Sequence, residues 1–244
     1  MQNIKIAIVI PAREKSTRFP GKPLANILGQ PMILHVWEKC IQALDKQNVF
    51  IATDSDKIKN VCLGYGMNVI MTNESCLTGT DRVYEASLKI DADILINVQG
   101  DEPLISPDDI KLIIDKAKLN PTKIINAMTK ITSEKEFFSN SVPKVIFNQK
   151  SNLLYMSRAG IPSNKKHSFI FGYKQVCIYA FPKDSLELFY KYGKKTTFEE
   201  VEDIEILRFL ELGYSIEMVK VSEASIAVDF PQDIKKVEKI LKGY

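Results

Sequence analysis

Histidine is almost absent from this 244-residue chain: His35 and His167 are its only two, and neither has a companion at metal-ligand spacing. A Ser/Cys–His–Asp triad therefore has very little to be built from. Cysteine is scarce as well. Cys40, Cys62, Cys76 and Cys177 stand far apart with no C-x-x-C pair, so thiolate-metal spacing is missing and a disulfide framework would be out of place at this length. They read as free thiols in a reducing compartment. Charge of one sign is lacking too: 33 cations against 30 anions leave +3, too even for the concentrated basic face that nucleic acid requires. Long apolar runs are missing. The opening MQNIKIAIVI is too short for a signal peptide, and no stretch approaches the ~20 apolar residues of a membrane span. A cytoplasmic protein is expected, with neither a nucleic-acid partner nor membrane insertion.

Glycine-rich phosphate signatures are also absent. The chain has neither G-x-x-x-x-G-K-[ST] nor G-x-G-x-x-G, which removes the P-loop and the dinucleotide fingerprint. Repeats, low-complexity tracts and convincing linkers are missing, so a single domain over residues 1–244 is the simplest organisation. That length is ample for a sizeable core.

Present instead is an alternation of short β-branched runs with longer amphipathic ones. Residues 4–10, 48–53, 68–72 and 92–100 read as strands, the first and last apolar enough for burial on both faces. Between them, Ile33, Val36, Trp37, Cys40, Ile41 and Leu44 share one helical face behind Pro31. Ser106-Pro107 reads as a cap and first turn. Strand–helix alternation predicts an α/β fold, a mostly parallel sheet with helices on both faces. The second half is less regular: 175–182 reads as a strand, 199–213 as a helix closed by Gly213, and the end as a helix with Pro231 in its first turn.

In such a sheet, ligands meet the carboxyl ends of the strands. After the first strand comes AREKSTRFPGKPL, with Arg13, Lys15, Arg18 and Lys22 placing cations at four of ten positions before and within Pro-Gly-Lys-Pro. Arginine grips phosphate oxygens bidentately and lysine adds a compact charge, so a polyphosphate is the natural ligand. Asp101 follows the strand DILINVQG, and Asp229 follows SIAV. Two such carboxylates facing a cationic loop suit Mg²⁺ held against phosphates; for Asp229, a plain helix cap is the competing account. Asp54 and the TGTDR loop (78–82) add strand-end polar groups; Thr78, Gly79 and Thr80 could hydrogen-bond a base or ribose, and a turn and helix cap explains them nearly as well. From residues alone the chemistry reaches magnesium-dependent nucleotidyl transfer.

IPAREKSTRFPGKPL, NVQGDEPLI, TGTDRVYEA and VDFPQDIKKVE together resemble the CMP-Kdo synthetases, the 3-deoxy-manno-octulosonate cytidylyltransferases, over nearly the whole chain. The related sialate enzymes carry a loop closer to PARGGSKG, absent here. The resemblance implies a Rossmann-like nucleotidyltransferase fold and a homodimer formed through the second half. It implies that an acidic sugar's anomeric hydroxyl attacks the α-phosphorus of CTP. By the family's motifs, Arg13 and Lys22 should hold the triphosphate with Arg18 nearby, Asp101 and Asp229 should bind Mg²⁺, and Thr80 and Asp81 should lie near the cytidine. Gln99, Arg158, Tyr179 and Glu202 match the sugar pocket, Arg158 facing the sugar carboxylate. Two positions depart: Gln175 stands where the family has histidine in HLGIYGY, and Ile206 where it has glutamine in LEQLR. Both would fall on the sugar side. The acceptor is then either Kdo with a rebuilt pocket, favoured by Gln99, Arg158 and Glu202, or a modified sugar such as 8-amino-Kdo or another 2-keto-3-deoxy acid. A non-catalytic binder of CTP or CMP-sugar, and a transferase with a phosphorylated acceptor, are the competing classes.

Overall fold

The computed structural model describes residues 4–14, 19–222 and 226–243. In chain order the elements are β1 (Ile6–Ala12), β2 (Asn26–Ile27), β3 (Gln30–Pro31), α1 (Met32–Ala43), β4 (Val49–Thr53), α2 (Asp56–Gly64), β5 (Asn68–Met71), α3 (Gly79–Ser87), β6 (Ile94–Val98) and α4 (Pro107–Leu119). They continue with β7 (Ile124–Lys130), α5 (Glu134–Phe137), β8 (Lys144–Phe147), β9 (Leu153–Ser157), β10 (Tyr173–Pro182), α6 (Lys183–Lys191), α7 (Thr197–Glu202), α8 (Ile206–Glu211), β11 (Ile216–Lys220) and α9 (Asp233–Leu241).

The central sheet runs β11-β7-β10-β6-β1-β4-β5, with the β8–β9 pair attached to β10. β1 pairs in parallel with β4 and β6, β4 with β5, and β7 with β11. β10 is antiparallel to both β6 and β7 and joins the two parallel blocks. The expected α/β architecture is therefore present. Side chains alternate along β1: Ile6, Ile8 and Ile10 join the core shared with α1 and α4, whereas Ala7 and Val9 join the core shared with α3, α6 and α8. Burial on both faces explains the unbroken apolar run.

Helix starts follow local chemistry. Ser55 caps α2 by accepting from Ile58 N–H, and Ser106 caps α4, whose first residue is Pro107. Two expected elements differ. The helix over 199–213 is two short helices, because Asp203 adopts φ 50° between them. Pro231 precedes the last helix, which begins at Asp233 after Gln232.

The chain leaves β1 first toward β4 and β5, and later crosses to β6 on its other side. That reversal opens a crevice at the carboxyl ends of β1 and β6. Gly100 keeps it tight, since a Cβ there would stand 3.2 Å from both the Pro11 carbonyl and Ile33 Cδ1.

Candidate active site

A cavity of about 650 Å³ fills this crevice, a size suited to a nucleotide and a second small molecule. Arg13 and Lys22 stand in its wall. Gly21 N–H bonds the Glu14 carbonyl at 3.1 Å and so joins the two described ends of the cationic loop. Gly21 sits at φ 68° with open space beside it, a left-handed turn that glycine adopts without a Cβ clash. Lys15 and Arg18 lie outside the described residues.

Asp101 and Asp229 share the wall with those cations. Val228 N–H donates to the Asp101 carbonyl at 2.9 Å, tying the segment before α9 to the end of β6. The two carboxylate-bearing residues are thus brought together by backbone. Lys22 Nζ lies 2.6 Å from Asp101 Oδ2. As for capping, the Asp233 carboxylate, not that of Asp229, accepts from the N–H groups of Asp229 and Phe230. Among the described residues no three His, Cys, Asp or Glu side chains converge for a metal. Two carboxylates without a third protein ligand are a donor set in keeping with Mg²⁺, which usually completes its shell with phosphate oxygens and water.

Thr78, Gly79 and Arg82 reach the cavity from α3. Arg82 is fixed by Asp54 at 2.8 Å and by Thr72 Oγ1, so Asp54 braces neighbouring loops. Thr80 and Asp81 lie behind the wall. Asp81 Oδ2 closes a capping box with Thr78, and its Oδ1 meets Arg208 at 3.0 Å. Thr80 gives its N–H and hydroxyl to Glu205 at 2.9 and 2.7 Å. Both residues shape the α3 N-terminus while their side chains are engaged inside the protein.

Gln99, Arg158, Gln175 and Tyr179 line the same cavity. Arg158 is cradled by three carbonyls: Glu202 at Nε, and Asn140 and Asp203 at 2.9 Å each. Glu202 stands outside the wall. Its carboxylate is taken up by Ser157 Oγ and Arg158 N–H at 2.7 and 2.8 Å. The carboxylate on the wall is Glu205, three residues on, held by the N–H groups of Gly79 and Thr80. Ile206 is also outside the cavity. It is 1% exposed and packs in the core on the α3 side of the sheet. Of the two departures from the family pattern, the one that lies in the wall is Gln175.

Among the wall residues that escaped the sequence reading, three bear on the chemistry: Glu205, and the ion-paired Lys174 and Glu136. Glu205 sits in the quoted IEILR motif, but the break at Asp203 that turns it toward α3 has no glycine or proline to announce it. A fourth is Glu102, beside Asp101. It is buried, its Oε1 accepts from Cys177 N–H at 3.1 Å, and its Oε2 has no partner among the described residues. Burial first, then the Asp101 charge, pushes its pKa from 4.5 to about 7. Between those values the folded protein keeps a proton that the unfolded chain releases, so stability falls as pH rises. Glu102→Gln should accordingly raise the melting temperature at pH 7.5 in EDTA and leave it almost unchanged at pH 4.5. Equal shifts at both pH values would show that Glu102 is ionised in the fold.

Comparison with known proteins places this geometry. The family model described as cytidylyltransferase matches residues 7–219. The 3-deoxy-manno-octulosonate cytidylyltransferase of Geobacter metallireducens is 38% identical, covering 99% of each chain. The 8-amino-3,8-dideoxy-manno-octulosonate cytidylyltransferase of Shewanella halifaxensis is 37% identical over 96% of this chain and 98% of its own. A CMP:2-keto-3-deoxy-manno-octonic acid synthetase solved in complex with CTP superposes with a TM-score of 0.90 at 35% identity, covering 98% of this chain and 99% of that one.

Proposed function

The chain belongs to the 3-deoxy-manno-octulosonate cytidylyltransferase family, and from that membership we propose that it transfers CMP from CTP to the anomeric hydroxyl of Kdo, releasing pyrophosphate. The observation that carries this reading is one cavity whose wall holds cations and paired carboxylates together with Arg158, Gln99 and Tyr179. Transfer at phosphorus depends on positioning and charge neutralisation more than on covalent help, which agrees with a wall that needs no nucleophile.

Arg13 and Lys22 hold the triphosphate and spread its charge. Arg18 joins them in this reading. Thr80 and Asp81 act on the cytidine end through the α3 N-terminus they build. Arg158, pre-oriented by three carbonyls, faces the sugar carboxylate; Gln99, Gln175 and Tyr179 border the sugar, and Glu202 orients Arg158. Asp101 and Asp229 are the residues that would hold Mg²⁺, which when bound supplies charge neutralisation at the phosphates and acidifies a bound hydroxyl.

The second half carries the homodimer contact in this proposal. Leu154, Ile170 and Phe171 are exposed there, beside a groove of about 270 Å³ lined by Val145, Phe147 and Pro162, an apolar patch of the kind partners cover. The chain acts as one domain in the cytoplasm, supplying CMP-Kdo for lipopolysaccharide or capsule assembly. Among the described residues no helix is long and apolar enough to cross a membrane.

A second reading, the same transfer to 8-amino-Kdo, is favoured by Gln175 in the wall and by the relative from Shewanella halifaxensis. Pyrophosphate release from Mg²⁺ and CTP tests both, with Kdo, 8-amino-8-deoxy-Kdo, a nonulosonic acid and no sugar as arms. Turnover with Kdo upholds the first reading, and turnover with the amino sugar alone upholds the second. CTP binding without turnover in any arm would make the chain a non-catalytic binder.

A further inference from the structure

Strand β10 slips its register against β7 between Val176 and Tyr179. Val176 faces Ala127 and Tyr179 faces Asn126, so one step along β7 matches three along β10. Cys177 and Ile178 are the surplus. A bulge of this kind strands backbone carbonyls, which must find donors when buried. Asn126, fully buried, supplies them: its Nδ2 donates to the carbonyls of Val176 and Ile178 at 3.0 Å each. Both amide hydrogens are then used, and Oδ1 can only accept. It accepts from Gln175 Nε2 at 3.0 Å.

The direction of the Gln175 amide follows from this chain of bonds. Turned end for end, its Oε1 would face the Asn126 Oδ1, oxygen against oxygen. Gln175 belongs to the cavity wall, beside Lys174 and Tyr179. We propose that Asn126 is a positioning residue for the acceptor sugar, locking the Gln175 amide so that its carbonyl oxygen receives a hydroxyl or ammonium hydrogen of that sugar. The inference rests on the proposed assignment of this part of the wall to the sugar. It turns a departure from the family pattern into a stated preference: the sugar must donate a hydrogen bond at Gln175. Lys174, ion-paired with Glu136, stands beside this place without sharing the amide.

A double-mutant cycle tests it, using pyrophosphate release with whichever of Kdo and 8-amino-8-deoxy-Kdo the parent turns over. Asn126→Ser and Gln175→Met should each raise the KM of the sugar about tenfold, the value of one hydrogen bond, with the KM of CTP within twofold of the parent. Their combination should be no worse than Gln175→Met alone, because Asn126 acts through Gln175. A hundredfold rise in the double variant, or a lowered Tm in Asn126→Ser with an unchanged sugar KM, would reduce Asn126 to a support of the bulge and overturn the proposal. Should Asn126→Ser fail to fold, Gln175→Met decides: the sugar KM must rise about tenfold with the KM of CTP unchanged, and a parent-like sugar KM overturns the proposal. If the parent turns over neither sugar, the assignment of the cavity has failed, and the inference falls with it.

Discussion

Asp101→Asn and Asp229→Asn each lower pyrophosphate release by roughly a hundred- to a thousandfold and leave the protein folded. Removing one group that stabilises transition-state charge typically costs roughly 10²–10³ in rate, and each of these carboxylates is proposed to help hold the cation that neutralises the phosphates. The fold should survive for two reasons. The bond that joins the two segments runs from Val228 N–H to the Asp101 carbonyl, and both groups are backbone. The Lys22–Asp101 ion pair borders the cavity, with side chains 17% and 22% accessible, and asparagine keeps the size of the side chain and an oxygen that accepts from Lys22. Rates at saturating CTP, a Mg²⁺ titration and a thermal melt read the three quantities separately. A variant that turns over within tenfold of the parent, with unchanged Mg²⁺ dependence, removes its residue from the proposed metal set.

Arg208→Met lowers stability by about 3–5 kcal/mol, the cost of leaving buried charge without its partner. Arg208 is fully buried. Its guanidinium meets Glu199 Oε2 and Oε1 at 2.7 and 2.6 Å and Asp81 Oδ1 at 3.0 Å, over the ring of Phe189. Methionine would fill much of the space but strand two carboxylates. In a chain of this size the loss corresponds to a fall in Tm of about 10 °C. Arg208 does not line the cavity, but it braces Asp81 and so the α3 N-terminus that does. A Tm within two degrees of the parent at pH 7.5 would show that the two carboxylates find other partners or take up protons.

The architecture was legible because it is written in local patterns. An unbroken run such as IAIVIPA reports burial on both faces, and Ser106-Pro107 reports a helix start. The cationic loop and the two strand-end aspartates were legible for a related reason: in a parallel sheet, position along the chain fixes which end of a strand a residue follows, and hence which mouth it faces. Residues on helices and on the irregular second half were harder. Glu202 and Glu205 are three apart, and only the left-handed turn at Asp203 decides that one serves Arg158 while the other enters the wall. Ile206 reads as a lost hydrogen bond in the sequence, yet its side chain packs in the core. Asn126 is an ordinary polar residue in a strand until the bulge opposite it is known.

The sequence by itself determined the α/β class, the family and the pairing of a cationic loop with two carboxylates. Each of these depends on neighbours in the chain or on strand direction. The tertiary structure alone decided which carboxylate enters the cavity wall, that Asp81 is tied to Arg208, and that Gln175 is held in one orientation. Those outcomes depend on hydrogen bonds between residues 49, 126 and 127 positions apart in the sequence. No local pattern encodes such pairs, because the donors and acceptors meet only after the sheet has assembled.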